Sequence, residues 1–322
     1  MGPGPRAANL LDMDTDATDP APIVVGVERS ERSRDGLALA RTLARSVGSA
    51  LILVSVYPVD AGSAGGPMGA YARALEEEAD AALEWAARPL GGVLATPRTV
   101  ACTSVARGLQ QVAEAEGALA IVVGPSHHGA LGRIVPGSVG ERLLHGAPCP
   151  VAVAPRGHWG NPRNRIQRIG VGYVATQDGA VALDAAFALA TRTGATVCVL
   201  SVVEPPAVTA SIPMGWGYGD LADETRAAMT QALDAAVGDA GDRVTATGEV
   251  VEGYADDELA RLSDDVDLLV CGSRGYGPVG SVLLGSVSAG VLRKSRCPVL
   301  VVPRGARDGF ASLHAPAAGA TP

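Results

Sequence analysis

Short apolar runs alternate along the chain with longer segments in which apolar residues recur every three or four positions. In the first half the runs fall at about 23–27, 50–56, 98–102, 118–123 and 151–154, and helical spacing covers about 33–47, 71–88, 106–116 and 138–144. The second half repeats that order, with runs at about 169–173, 196–202, 244–250, 268–271 and 299–302. Its helical segments lie at about 179–193, 221–237, 256–263 and 287–294. Continuous apolar runs suit strands buried on both faces, and strand–helix alternation with short connections favours right-handed crossovers. The pattern therefore predicts an α/β protein made of two tandem, doubly wound, parallel five-stranded sheets of Rossmann-like type. In such sheets ligands bind beyond the carboxyl ends of the strands, where the strand order changes direction.

The two halves repeat in sequence as well as in pattern. Gly124, Gly137, Ser138 and Val139 recur as Gly272, Gly285, Ser286 and Val287, each pair 148 positions apart (272 − 124 = 148). Cys149-Pro150-Val151 returns as Cys297-Pro298-Val299 at the same offset, while Pro67-Met68-Gly69 returns as Pro213-Met214-Gly215 at 146 (213 − 67 = 146). A period this long marks a duplicated domain, because solenoid repeats are far shorter. Expected boundaries are a disordered tail over 1–21, domains over 22–156 and 168–304, a linker over 157–167 and a second disordered tail over 305–322.

Each half has a glycine loop that leaves a strand and returns into a helix. Such a loop sets unpaired N–H groups and a serine hydroxyl at a helix N-terminus, where the dipole favours phosphate. Its glycines are expected to supply positive φ angles and close approach to a ligand.

Composition narrows the function classes. Aromatic residues make up 3% and hydrophobic residues 47%, which suits alanine-rich helices over a parallel sheet. A net charge of −8 without a long basic run argues against nucleic acid. No apolar run is long enough for a membrane span, and the first residues lack a signal peptide's apolar core, so a cytoplasmic location is expected. Five cysteines without a Cys-x-x-Cys pair do not suggest a disulfide framework. Lys294 is the only lysine, which removes both a Walker A loop and a protein kinase. His127, His128, His145 and Cys149 do not make a convincing metal centre, because Pro148 ends the helix between the last two.

The spacing Gly-x2-Gly-x9-Gly-Ser, followed by a helix and then Cys-Pro-Val, resembles the nucleotide-binding universal stress proteins, and the tandem arrangement resembles their two-domain members. The resemblance covers about 22–156 and 168–304. It implies an adenine nucleotide alpha hydrolase-like fold whose last strands pair antiparallel, so that the two halves form an intramolecular pseudo-dimer, with homodimerisation as a further level. It also implies a site built from an acid after strand 1, a valine ending strand 2 and the glycine loop after strand 4. In the second half these positions are Val202, Gly272, Gly275, Gly285, Ser286, Val287 and Ser288, but Val174 replaces the acid. In the first half Glu28, Val56, Gly124, Gly137, Ser138 and Val139 are in place, but His127 replaces the second glycine and Gly140 the last hydroxyl residue. The second site ranks first because its phosphate loop is whole.

Arg274 either reaches a terminal phosphate or points to water, and Trp216 and Tyr218 either cover an adenine or fill a hydrophobic contact. The leading reading is a stress-response regulator that binds ATP, with or without Mg2+, chiefly in the second half. The alternative is an interaction protein with little nucleotide affinity. An enzyme is the weakest reading, since no water-positioning acid accompanies the intact loop.

Overall fold

The structure is a computed structural model that describes residues 20–59, 66–126, 134, 137–161, 165–205, 218–273, 285–305 and 309–314. The first half runs β1 (Ile23–Gly26), α1 (Glu31–Val47), β2 (Leu51–Tyr57), α2 (Gly66–Ala87), β3 (Ala95–Ala101), α3 (Val105–Ala115), β4 (Ala120–Val123), α4 (Ser138–Leu144) and β5 (Val151–Val153). The second half runs β6 (Arg168–Gly172), α5 (Gln177–Thr193), β7 (Thr196–Val203), α6 (Tyr218–Gly238), β8 (Ala246–Glu252), α7 (Ala255–Leu262), β9 (Leu268–Gly272), α8 (Ser286–Lys294) and β10 (Val299–Val302).

Local chemistry sets the helix limits. Ser30 caps α1 by accepting from the Ser33 N–H, and Gly48 ends it at φ 73°. Thr176 and Gly194 repeat this device around α5. Helix α2 starts before the expected residue 71, and Tyr218 belongs to α6 rather than to the preceding loop.

All the described strands join one sheet in the order β3-β2-β1-β4-β5-β10-β9-β6-β7-β8. Pairing within each half is parallel, and the halves meet through the antiparallel pair of β5 and β10. There Val299 faces Val153, Leu300 faces Ala152 and Val301 faces Val151. The two five-stranded units thus form the expected pseudo-dimer within one chain. Side chains alternate across the sheet. Ala152 and Leu300 enter the layer under α1, α2 and α5, and Val151, Val153, Val299 and Val301 enter the layer under α3, α4, α7 and α8. Both apolar layers therefore cross the seam between the halves without a break.

The sheet ends at β3 and β8. Strand β3 contains Pro97 and Arg98, and β8 contains Gly248 and Glu249. A proline is tolerated on an edge strand, and such residues discourage further strand addition. No helix among the described residues is long and apolar enough to cross a membrane.

After each last strand the chain folds back over the first helix of its half. The turn His158–Gly160 covers α1, and the turn Gly309–His314 covers α5. Asp35 on α1 is buried and accepts hydrogen bonds from Gly157 N (2.9 Å) and Trp159 N (2.8 Å), which pins the linker. The expected tail over 305–322 is therefore partly ordered, because Phe310 within it is fully buried. Phe310 and Leu313 belong to the layer under α5, and apolar burial outweighs the polar composition around them. Of the tail expected over 1–21, all but the last two residues lie outside the described residues.

Two predictions follow from this packing. Val301→Pro removes a ladder N–H from a central strand and should cost at least about 3 kcal/mol. Because the seam is shared, amide exchange in β1 and β6 should accelerate together. Protection retained in β1 alone would count against a common cooperative unit. His158 is also buried, and burial lowers its pKa from 6.5 to about 4. The unfolded chain then takes up a proton between those values that the folded chain refuses, so stability is intact above about pH 6.5 and falls by about 3 kcal/mol as pH drops through about 4. Denaturation midpoints of His158→Gln should lose this part of the acid slope. Identical slopes in both proteins would assign it to other groups.

Candidate functional site

In each half β1 or β6 sits between a strand leading to a crossover on one face and a strand leading to a crossover on the other, and the chain ends diverge there into a cleft. The first cavity, about 250 Å³, is lined by Glu28, Val56, Gly124, Gly137, Ser138 and Val139. The second, about 420 Å³, is lined by Val202, Gly272, Gly285, Ser286, Val287 and Ser288. The described members of each sequence-selected set are thus gathered around one cleft. Gly275, His127, His128, Arg274 and Trp216 lie outside the described residues.

Helix starts shape one wall of each cavity. In α8 the first ladder bond runs from Ala289 N to Gly285 O at 2.9 Å, so the N–H groups of Ser286, Val287 and Ser288 precede the ladder. In α4 the matching bond runs from Glu141 N to Gly137 O, also at 2.9 Å. Gly137 and Gly285 are extended, at φ −76° and −63°, so neither uses the positive φ expected from the sequence. Tight approach accounts for Gly124 instead. A Cβ there would overlap the carbonyl oxygen of Arg32. At Gly272 a Cβ would stand 3.1 Å from the Asp178 carbonyl oxygen.

The hydroxyls of the second loop divide their work. Ser286 is exposed at the cavity, whereas Ser288 is buried and donates to Gly272 O at 2.8 Å. Ser288 therefore fastens the start of α8 to the end of β9, and its proton is used internally. Gly140 at the matching position lacks this clasp. Lys294 reinforces the arrangement from the far end of α8, with Nζ 2.6 Å from Asp256 Oδ2 and 2.7 Å from Asp257 Oδ1. These hydrogen bonds raise its pKa. Cys271 lines the same cavity, but burial pushes its thiol up to about 12, which rules out a thiolate nucleophile near neutral pH.

The charges differ between the halves. Glu28 accepts from Arg32 Nη2 at 2.6 Å and from Ser30 Oγ at 2.8 Å, so the first-half acid is engaged with its own helix start. At the place that matches Arg32 (178 − 32 = 146) the second half has Asp178, which pairs with Arg304 at 3.0 Å. Arg32 and Glu204, which both line cavities, escaped the sequence reading. Arg32 signalled itself only as the i, i+4 partner of Glu28. Glu204 signalled itself as the acid two positions after Val202. Among the described residues no group of three His, Cys, Asp or Glu could hold a metal ion.

The model of the universal stress protein family matches residues 21–155 and again 165–303. A universal stress protein of Mycobacterium tuberculosis is 30% identical over 214 residues, covering 62% of this chain and 69% of the relative. Another from the same species is 33% identical over 132 residues, covering 35% of this chain and 41% of its own. The crystal structure of a universal stress protein from Archaeoglobus fulgidus has the same fold, with a TM-score of 0.62 at 22% identity, over 88% of this chain and 96% of that one.

The glycine geometry makes a contrast that can be measured. Gly124→Ala forces backbone apart and should cost about 2–3 kcal/mol. Gly137→Ala, whose nearest neighbour would be Ser126 Cβ at 3.4 Å, should cost less than about 1 kcal/mol. Equal losses in thermal or denaturant unfolding would refute the close-approach account.

Proposed function

The chain belongs to the universal stress protein family, and we propose that it acts as a regulatory protein that binds an adenine nucleotide in its second cavity. One observation carries this reading. The free N–H groups at the start of α8 and the exposed Ser286 hydroxyl meet in a cavity of about 420 Å³, within the range of about 300–1,000 Å³ typical of small-molecule sites. The first cavity, at about 250 Å³, falls below that range and has the Glu28–Arg32 ion pair in its lining. Phosphate at α8 gains from charge-assisted bonds and from the helix dipole. Apolar walls from Val202, Leu259 and Met229 suit a base.

Binding is the role proposed, not catalysis. Val174 stands at the end of β6 where a general base or metal-holding acid would be needed, and it can serve neither purpose. The residues around this cavity do not fit a protein-held Mg2+, so any magnesium arrives with the nucleotide. The alternative of an interaction protein draws on the same departures: the first acid is engaged by Arg32 and Ser30, and the second is replaced.

Calorimetry with ATP separates the two. Ser286→Ala should weaken binding about tenfold, the effect of losing one hydrogen bond to a charged group. Val174→Asp should tighten it, most of all with divalent metal, by restoring a carboxylate at the strand end. Absence of binding at millimolar ATP, unchanged by Val174→Asp, would favour the interaction protein.

A further inference from the structure

The second cavity has two ends of different chemistry. The α8 N-terminus and Ser286 form an end rich in donors. The opposite end is formed by Val202, Val203 and Glu204 where β7 finishes, and by Ala255 and Leu259 of α7. Only β6 lies between β9 and β7 in the sheet, so the two ends are roughly 10 Å apart at the usual strand spacing. A nucleoside monophosphate unit spans that distance.

Glu204 is the one charged side chain among the described residues that line this cavity. One of its carboxylate oxygens, Oε1, accepts from Ala255 N at 3.0 Å, which fixes the group against the first turn of α7. A carboxylate offers only acceptors, with capacity beyond that one bond. Whatever polar group of a ligand lies at this end must therefore donate. In the first half the position 146 residues earlier is Pro58, which has no side-chain acceptor, so the feature belongs to the second half alone (204 − 58 = 146).

We infer that Glu204 is a specificity-determining residue that accepts a hydrogen bond from the exocyclic amino group of a purine, so that the second cavity prefers a 6-amino purine nucleotide to the same nucleotide without that group. This rests on the nucleotide reading above and names the atom that chooses the base. Its negative charge lies about one Debye length from the phosphate end, where physiological salt screens the repulsion. Because Glu204 is exposed, the selectivity expected is that of one charge-assisted bond rather than of a sealed pocket.

The test compares ATP with purine riboside 5′-triphosphate, which has hydrogen in place of the 6-amino group and is otherwise the same. Wild-type protein should bind ATP about tenfold more tightly. Glu204→Gln keeps an oxygen for Ala255 N but turns the other atom into a donor, so the ratio should fall to about one. Ser286→Ala should weaken both nucleotides equally and leave the ratio intact. Equal affinity of the two nucleotides for the wild type, or an unchanged ratio in Glu204→Gln, overturns the role of Glu204 while leaving the nucleotide site standing. If neither nucleotide binds the wild type, the nucleotide reading itself fails and this inference with it.

Discussion

The antiparallel pairing of β5 with β10 is the interaction on which the rest of this structure depends. It is short, three facing pairs long, yet it joins two five-stranded units into one sheet and lets both apolar layers run across the join. Without it each half would expose an apolar strand edge in the middle of what is now the core. The facing residues are valine, leucine and alanine, all fully buried. Their hydrogen bonds are directional, and their side chains alternate in step, so a slip of one residue would turn each set toward the wrong layer.

That seam lies away from the cavities in the strand order and leaves them free to differ. Each cavity opens beside β1 or β6, two strands from the join, and comes no nearer to it than the ends of β4 and β9. Substitutions such as Val174 for an acid, or Asp178 in the place that Arg32 holds in the first half, change local charge without disturbing the shared core. The protein therefore keeps two closely similar frames around two chemically distinct clefts. One is small and lined by an ion pair. The other is larger, with donors at one end and a carboxylate at the other.

Much of this was legible in the residues. Buried strands announced themselves as apolar runs, and caps such as Ser30 and Gly48 bounded their helices, because these features depend on neighbours in sequence. The duplicated loops pointed to both cavities for the same reason. What escaped depends on distant contacts. Strand β3 begins three residues earlier than the apolar pattern suggested, and its Pro97 is tolerated because β3 is an edge strand. Phe310 lay in a stretch of tail-like composition, and only its burial beneath the α5 layer orders it. Ser288 looked like a ligand contact, but its hydroxyl meets the Gly272 carbonyl across sixteen residues. Glu204 was overlooked because the sequence put Val202 in the site but gave no sign that the side chain two positions further on lines the same cavity.

The pinned linker gives the covalent fusion a further consequence. Two separate subunits meeting through three strand pairs would associate according to how much protein is present. Here Asp35 holds the connecting segment at Gly157 and Trp159, so each half meets the other at an effective local concentration set by a short, fastened tether. The paired sheet should consequently persist at dilutions where a dimer of equal interface would come apart. A cell holding only a few copies of the chain would still hold them fully assembled.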